Sequence, residues 1–265
     1  MNEVEILRKL VSFPVLGGES NLSIITWIQN YIESYGIKTS LVPNDEGNKA
    51  SLHCRIGPAI DGGVVLSGHT DVVPVAGQEW STDPFVLTDG EDGKLYARGS
   101  CDMKGFDALA LWALVEARYV GVSKPVQLAF SFDEEIGCLG APPMIAAMNG
   151  VVPKGGPVIV GEPSMMQTVT SHKGGQGFDT HVVGFEVHSS LMHTGVSAIL
   201  EGAKIIDFAN QQNAISFSSE PTTLGSMFDP PVTTWHVGQV SGGTAHNITA
   251  KDCQFSMDFR AVPGD

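Results

Sequence analysis

Hydrophobic residues recur along the first two thirds of the chain with two different spacings. From Ser20 to Tyr35 they return every three or four positions, which predicts a helix that ends before Gly36. Further helices are predicted at 3–12, 105–118 and near 139–148. Short, uninterrupted apolar runs predict strands at 37–42, 50–56, 62–68, 126–132 and 157–161. Strands separated by helices predict an α/β fold, in which a layered sheet has helices on both faces.

The pattern changes after about residue 175. Alternating hydrophobic and polar positions predict a strand at 180–188, followed by a helix at 194–210 and by strands at 233–243 and 252–262. This order predicts a smaller α+β domain over 176–265, after a first domain over 1–175. The glycines of HKGGQG, at 172–177, are expected to form a hinge between the two.

Composition narrows the possible partners. The chain has 265 residues, of which 42% are hydrophobic, enough for a sizeable core. Its net charge of −14 disfavours nucleic acid and anionic membranes as partners. No apolar stretch reaches the ~18 residues of a membrane span, and the N-terminus lacks the apolar segment of a signal peptide. We therefore expect a soluble, cytoplasmic protein.

The cysteines give no sign of a metal knuckle or a redox motif. No two of them form a C-x-x-C pair, and we expect reduced thiols. Cys101 is next to Asp102, so its thiol could lie near a site, but the expected role is that of a small, buried side chain. The cysteines are Cys54, Cys101, Cys138 and Cys253.

Acidic residues and one histidine follow several of the predicted strands. They are His69 and Asp71 in LSGHTDVVP, Asp102 in ARGSCDMKG, Glu134 and Glu135 in FSFDEEIG, and Glu162 in IVGEPS. Sites of open α/β sheets lie beyond the carboxyl ends of the strands, so these side chains are expected at one rim. Nitrogen and oxygen ligands of this kind suit zinc or a similar divalent ion.

Each of these residues also has a structural explanation. Asp102 could be a helix N-cap, and Glu134 and Glu135 could be first-turn acids. However, Asp133 makes three consecutive acids, an unfavourable cluster unless a cation compensates it. In an extended H-x-D segment, Asp71 could accept the second ring N–H of His69 and fix its tautomer.

Eight segments together resemble one enzyme family. In order, they are SGHTDVVP, WSTDPF, ARGSCDMKG, DEEIGCLGA, GEPS, HSS, GGTAHNI and MDFRAVPGD. This series resembles the dizinc amidohydrolases of the acetylornithine deacetylase and succinyl-diaminopimelate desuccinylase family. The resemblance implies a catalytic domain, a lid domain through which the protein forms a homodimer, and two Zn²⁺ ions. Cobalt or manganese could occupy the same ligands.

The resemblance also assigns roles to the first set of residues. His69 and Glu162 would hold one zinc, Glu135 would hold the other, and Asp102 would bridge them. Glu134 would be the general base and Asp71 would orient His69. A cis peptide bond is expected between Asp102 and Met103.

Three residues of the second domain receive roles in the same way. His188 would reach the site of the neighbouring subunit and stabilise the oxyanion. Asn247 would line the substrate pocket, and Arg260 would bind the substrate carboxylate.

The implied reaction is hydrolysis of an N-acyl amino acid. N-acetyl-L-ornithine, from arginine biosynthesis, is the expected substrate, with a desuccinylase, dipeptidase or carboxypeptidase activity as the alternatives. Family members continue past Asp265 and supply a last histidine ligand to the second zinc. We therefore expect both domains to be incomplete at the C-terminus, with weak metal binding and little hydrolysis. The alternative from another class is an inactive interaction protein.

Overall fold

The computed structural model describes residues 1–264 and divides the chain into two compact units, Met1–Gln167 and Thr168–Asp265. The first unit is a mixed α/β structure, which confirms the predicted fold class. That these units are a catalytic domain and a lid, divided near residue 175, stays a prediction. Within residues 1–264, none of the helices combines the length and apolar character that crossing a membrane requires.

Four helices and seven strands make up the first unit. The helices are α1 (Glu3–Val11), α2 (Leu22–Ser34), α3 (Lys104–Val120) and α4 (Ala141–Met148). The strands are β1 (Thr39–Pro43), β2 (Ala50–Ile56), β3 (Val64–His69), β4 (Thr88–Asp89), β5 (Leu95–Tyr96), β6 (Val126–Ser131) and β7 (Val158–Val160). Helix α1 begins with a capping box, in which Asn2 and Glu5 each accept a hydrogen bond from the other's backbone amide.

Five of these strands form the central sheet, in the order β1-β2-β6-β3-β7. Strand β3 runs parallel to both β6 and β7, whereas β2 is antiparallel to β1 and β6. The carboxyl ends of β3, β6 and β7 therefore meet at one edge of the sheet. This edge is where the α/β arrangement places functional side chains.

Both faces of the sheet are covered by helices. Leu128 and Phe130 of β6 point into a large apolar cluster with residues of α1, α2 and α3. Ala129, between them, packs with Met144 of α4 on the opposite face. Because successive side chains of a strand alternate between faces, β6 contributes to both layers. This explains why its sequence is an uninterrupted apolar run.

The second unit is a three-stranded antiparallel sheet with one long helix. Its strands are β8 (Gly174–Val183), β9 (Thr234–Gly242) and β10 (Asp252–Ala261), in the order β8-β10-β9. Helix α5 (Ala198–Ser218) contacts all three strands, and a 3₁₀ helix (Ser189–Thr194) precedes it. A second 3₁₀ helix is at Gly225–Met227.

Three local predictions for this unit differ from the structure. The strand predicted at 180–188 lies at Gly174–Val183 instead. The glycines expected to form a hinge lie instead in β8, where Gly174 and Gly175 are paired with Ala261 and Arg260. Their partners are 87 and 85 positions further along the chain, so local composition did not reveal the pairing. The helix predicted at 194–210 begins at Ala198 and extends to Ser218.

Candidate metal centre

Three strand ends bring the predicted residues to the edge of the central sheet. His69 is the last residue of β3, Glu134 and Glu135 follow β6, and Glu162 follows β7. Asp102 was also expected at a strand end, but that expectation was wrong. It lies in a turn directly before α3, and no strand of the central sheet leads into it. The peptide bond between Asp102 and Met103 is cis, as expected.

The side chains converge around the imidazole of His69. Its Nε2 atom lies 3.2 Å from Oδ1 of Asp102, 3.6 Å from Oε1 of Glu162 and 3.9 Å from Oε2 of Glu134. Ligand atoms of His69, Asp102 and Glu135 lie within 4.8 Å of one another, as do those of His69, Glu134 and Glu162. The four expected ligands and the expected base thus share one pocket.

Asp71 connects His69 to the acidic segment after β6. Nδ1 of His69 lies 2.9 Å from the backbone carbonyl oxygen of Asp71 and 3.6 Å from its carboxylate. The same carboxylate accepts hydrogen bonds from the backbone amides of Glu134 and Glu135, at 3.2 and 3.1 Å. Burial alone would raise the pKa of Asp71, but the nearby His69 ring and the hydrogen bonds from these two amides lower it.

The third acid of the cluster has its own cation. Asp133 forms a buried ion pair with Lys49 and accepts a hydrogen bond from the backbone amide of Gly18 at 2.9 Å. Sequence reasoning had treated Asp133 as part of the charge that a metal would compensate. The ion pair shows that only Glu134 and Glu135 of this segment remain for the pocket.

The pocket contains more negative charge than its protein groups balance. Burial raises the pKa of Glu135, and the nearby Asp102 raises it further. Burial likewise raises the pKa of Glu162. Burial would lower the pKa of His69, but Asp102 and Asp71 raise it to about 11. Oε1 of Glu135 is buried without a hydrogen-bond partner in the described chain. A divalent cation would satisfy this donor set and its charge, so the residues fit a metal site.

Sequence reasoning missed two ionisable residues beside this pocket. Asp107 of α3 is fully buried, and neither carboxylate oxygen has a hydrogen-bond partner within residues 1–264. Burial raises its pKa well above the usual range. Lys104, also buried, donates to the carbonyl oxygen of Phe13 at 2.8 Å, and burial lowers its pKa to about 8. The sequence did contain an indication of Asp107, because an acidic residue stands there among the apolar positions of a predicted helix.

The cysteines are all free, and two of them are exposed. Cys101, expected to be small and buried, is exposed in the turn beside Asp102. Cys138 is exposed as well, and its thiol donates a hydrogen bond to Oε1 of Glu134 at 3.3 Å.

In the second unit, His188 and Asn247 are neighbours. His188 forms an isolated β-bridge with Ile248, and the backbone carbonyl of Asn247 accepts a hydrogen bond from the amide of Ser189 at 2.8 Å. Arg260 lies towards the far end of β10 from this segment, where its Nε donates to Asp258 at 3.0 Å. The structure therefore brings His188 and Asn247 together but leaves Arg260 apart from them.

Sequence and fold comparisons agree on one group of proteins. Residues 65–259 match Peptidase family M20/M25/M40. The chain is 32% identical over 269 residues to the acetylornithine deacetylase of Proteus mirabilis (strain HI4320), a match that covers 98% of this chain and 67% of that protein.

Solved structures share the fold. The M20 family metallo-carboxypeptidase Sso-CP2 from Sulfolobus solfataricus is similar with a TM-score of 0.73 and 19% identity, over 100% of this chain and 72% of that one. The Bacillus subtilis YXEP protein, a dinuclear metal binding peptidase from the M20 family, has a TM-score of 0.58 and 15% identity, over 99% and 64%. The chain spans about two thirds of the length of these relatives.

Proposed function

Because the chain belongs to peptidase family M20/M25/M40, we propose that it is a metal-dependent hydrolase that cleaves the amide bond of an N-acyl amino acid. The observation that carries this proposal is the pocket itself. It contains one imidazole and four carboxylates. Their ligand atoms form two groups that share His69, one with Asp102 and Glu135 and the other with Glu134 and Glu162. A pocket of this composition has the ligands for metal ions and a further carboxylate for proton transfer.

Two divalent ions would share this pocket. His69 and Glu162 would hold one ion, Glu135 would hold the other, and Asp102 would contribute to both. Zinc is the ion that we propose, although the same oxygen and nitrogen ligands also suit cobalt or manganese. When bound, the ions would supply the positive charge that acidifies water and polarises an amide carbonyl.

Glu134 would carry the proton in the reaction. Its Oε1 accepts from the Cys138 thiol, which leaves Oε2, 3.9 Å from Nε2 of His69, free to accept a proton from the attacking water. The water oxygen bonds to the carbonyl carbon. The carbon–nitrogen bond then breaks, and Glu134 gives the proton to the leaving nitrogen. His188 would donate a hydrogen bond to the oxygen that becomes negative.

The substrate that we propose is N-acetyl-L-ornithine, cleaved to L-ornithine and acetate. The identity of 32% to an acetylornithine deacetylase, over nearly the whole chain, supports this choice. Asn247 would line the substrate pocket. Arg260 would bind the substrate carboxylate, for which a planar guanidinium is well suited. This substrate would place the protein in arginine biosynthesis in the cytoplasm, in keeping with four free cysteines.

We propose a homodimer, formed through the second unit, because His188 would act in the partner's site. Large hydrophobic side chains near His188 are exposed, including Phe185, Leu191 and Met192. Exposed apolar surface of this kind is suited to an interface.

The proposal can be tested with the chain supplied with zinc or cobalt. Hydrolysis of N-acetylornithine is measured beside N-succinyl-diaminopimelate, a dipeptide and a longer peptide. The Glu134→Gln variant should keep its metal but lose ~10²–10⁴-fold in turnover, because an amide cannot accept the proton. Glu91→Gln, an exposed acid, is the matched control.

The possible outcomes separate the alternatives. Preference for the succinyl substrate or a peptide would replace the deacetylase assignment with that activity. Turnover in Glu134→Gln close to that of the wild type would show that another group is the base. Since little hydrolysis is expected, even a low turnover that needs the metal and is lost in Glu134→Gln would support the hydrolase. A wild-type chain that binds the metal but gives no product from any of the four substrates would favour an interaction protein.

A further inference from the structure

Lys49 is joined by an ion pair to the acidic segment that enters the metal pocket. It lies immediately before β2, and its ammonium group contacts Oδ2 of Asp133, 84 positions further along the chain. The two side chains are only 10% and 5% exposed. The other carboxylate oxygen of Asp133 accepts from the backbone amide of Gly18. Two distant segments therefore hold this one carboxylate.

Asp133 has an unusual backbone conformation directly before Glu134 and Glu135. It has a φ of 53°, in the left-handed region that residues other than glycine rarely adopt. Such a conformation persists where the surroundings enforce it. Only Phe132 separates Asp133 from the end of β6, and Glu134 and Glu135 come directly after it. The backbone of Asp133 therefore contributes to the direction in which the acidic segment leaves the sheet.

The segment is held at two points. The Lys49 ion pair fixes its first residue, and the Asp71 carboxylate accepts from the amides of the next two. Without Lys49, the carboxylate of Asp133 would remain buried with no cation beside it. That state is unfavourable, and the segment relieves it by moving the carboxylate towards water.

We propose that Lys49 is a positioning residue of the metal centre. Through Asp133, it holds the turn in which Glu134 and Glu135 face His69. The role in catalysis rests on the proposed function, whereas the role in metal binding depends only on the pocket. Lys49 itself touches neither the expected ligands nor the expected base in the contacts of the described chain.

The test is a calorimetric titration of the folded chain with Zn²⁺ alone. Lys49→Met, which keeps the apolar stem, should bind Zn²⁺ about 10–100-fold more weakly than the wild type. Lys49→Arg, which keeps the charge and the donors, should recover most of this loss. Lys38→Met, at an exposed lysine, is the matched control and should bind as the wild type does.

The direction of the change distinguishes positioning from other roles. If Lys49 acted only as a nearby positive charge, its removal would strengthen the binding of a cation. If it served only stability, the affinity of the folded variant would not change. Either result would overturn the proposal.

A double-mutant cycle tests whether the effect passes through Asp133. Asp133→Asn should weaken Zn²⁺ binding as Lys49→Met does, and the double variant should be no worse than either single variant. The double variant also removes the unpaired buried charge, so it provides a folded protein if Lys49→Met alone does not fold. Losses that multiply in the double variant would contradict the proposal.

Activity measurements keep the two proposals separate. If the enzyme turns over, Lys49→Met should lower kcat with little change in KM. Weaker Zn²⁺ binding in Lys49→Met, in a chain that hydrolyses none of the substrates, would overturn the proposed function and support the role of Lys49. If the wild-type chain is active and Lys49→Met binds Zn²⁺ normally, the proposed function would be supported and the role of Lys49 would be overturned.

Discussion

Nδ1 of His188 lies 2.8 Å from the hydroxyl oxygen of Ser190 and 3.3 Å from its backbone nitrogen. A backbone N–H can only donate, so Nδ1 must be the acceptor. The proton of the neutral ring is then on Nε2. A histidine held in this way presents an N–H donor, as the proposed oxyanion role requires.

Ser190→Ala should therefore reduce kcat while leaving KM nearly unchanged. The loss should be smaller than the ~10²–10³-fold expected on removing an oxyanion donor, as in His188→Ala, because the backbone amide of Ser190 remains. Steady-state kinetics measures both constants. Ser189→Ala, at the adjacent serine, is the control and should retain the wild-type kcat. A higher KM with an unchanged kcat would contradict the oxyanion role.

Asp71→Asn should weaken the binding of Zn²⁺ by ~10–100-fold, the usual effect of losing a residue that orients metal ligands. The Glu134 and Glu135 amides donate to different oxygens of the carboxylate, and in asparagine one of these oxygens is replaced by an NH2 group, which is a donor. Calorimetric titration with Zn²⁺ measures the change. Asp45→Asn, at an exposed acid, should bind as the wild type does. Unchanged affinity in Asp71→Asn would show that the two amides do not need this acceptor.

Gly68→Ala should destabilise the protein, because a Cβ atom there would lie 2.0 Å from Oδ1 of the buried Asp107. Overpacking of this kind typically costs ~1–3 kcal/mol in the free energy of unfolding. Urea denaturation measures the loss. Gly177→Ala provides a control, since a Cβ atom at that position has no neighbour within 4 Å. Equal stability of the two variants would mean that Asp107 moves aside without cost.

The sequence was sufficient for the four helices and the five strands of the central sheet, but it did not reveal the short strands β4 and β5. Strand β2 lies at the predicted 50–56, and the apolar run of 126–132 contains β6, because both pack on the core. The residues at the ends of β3, β6 and β7 could be placed at one edge from chain order and the α/β pattern alone.

Contacts between distant segments could not be predicted in the same way. Nothing near Lys49 in the sequence indicates Asp133 as its partner, and nothing near Gly174 indicates its pairing with Ala261. Asp102 was expected at a strand end because the other expected ligands follow apolar runs. In the structure, a turn before α3 brings it to the pocket instead. These features depend on tertiary packing, which local propensity does not encode.

X-ray absorption at the zinc edge, measured on the zinc-loaded chain, tests the central claim most directly. The account predicts only nitrogen and oxygen neighbours at ~2.0–2.2 Å, from His69 and the carboxylates. It also predicts a second zinc at ~3.5–4 Å. A sulfur shell at ~2.3 Å would show that Cys101 or Cys138 binds the metal. That result, or a zinc ion without a metal neighbour, would contradict a two-metal carboxylate centre.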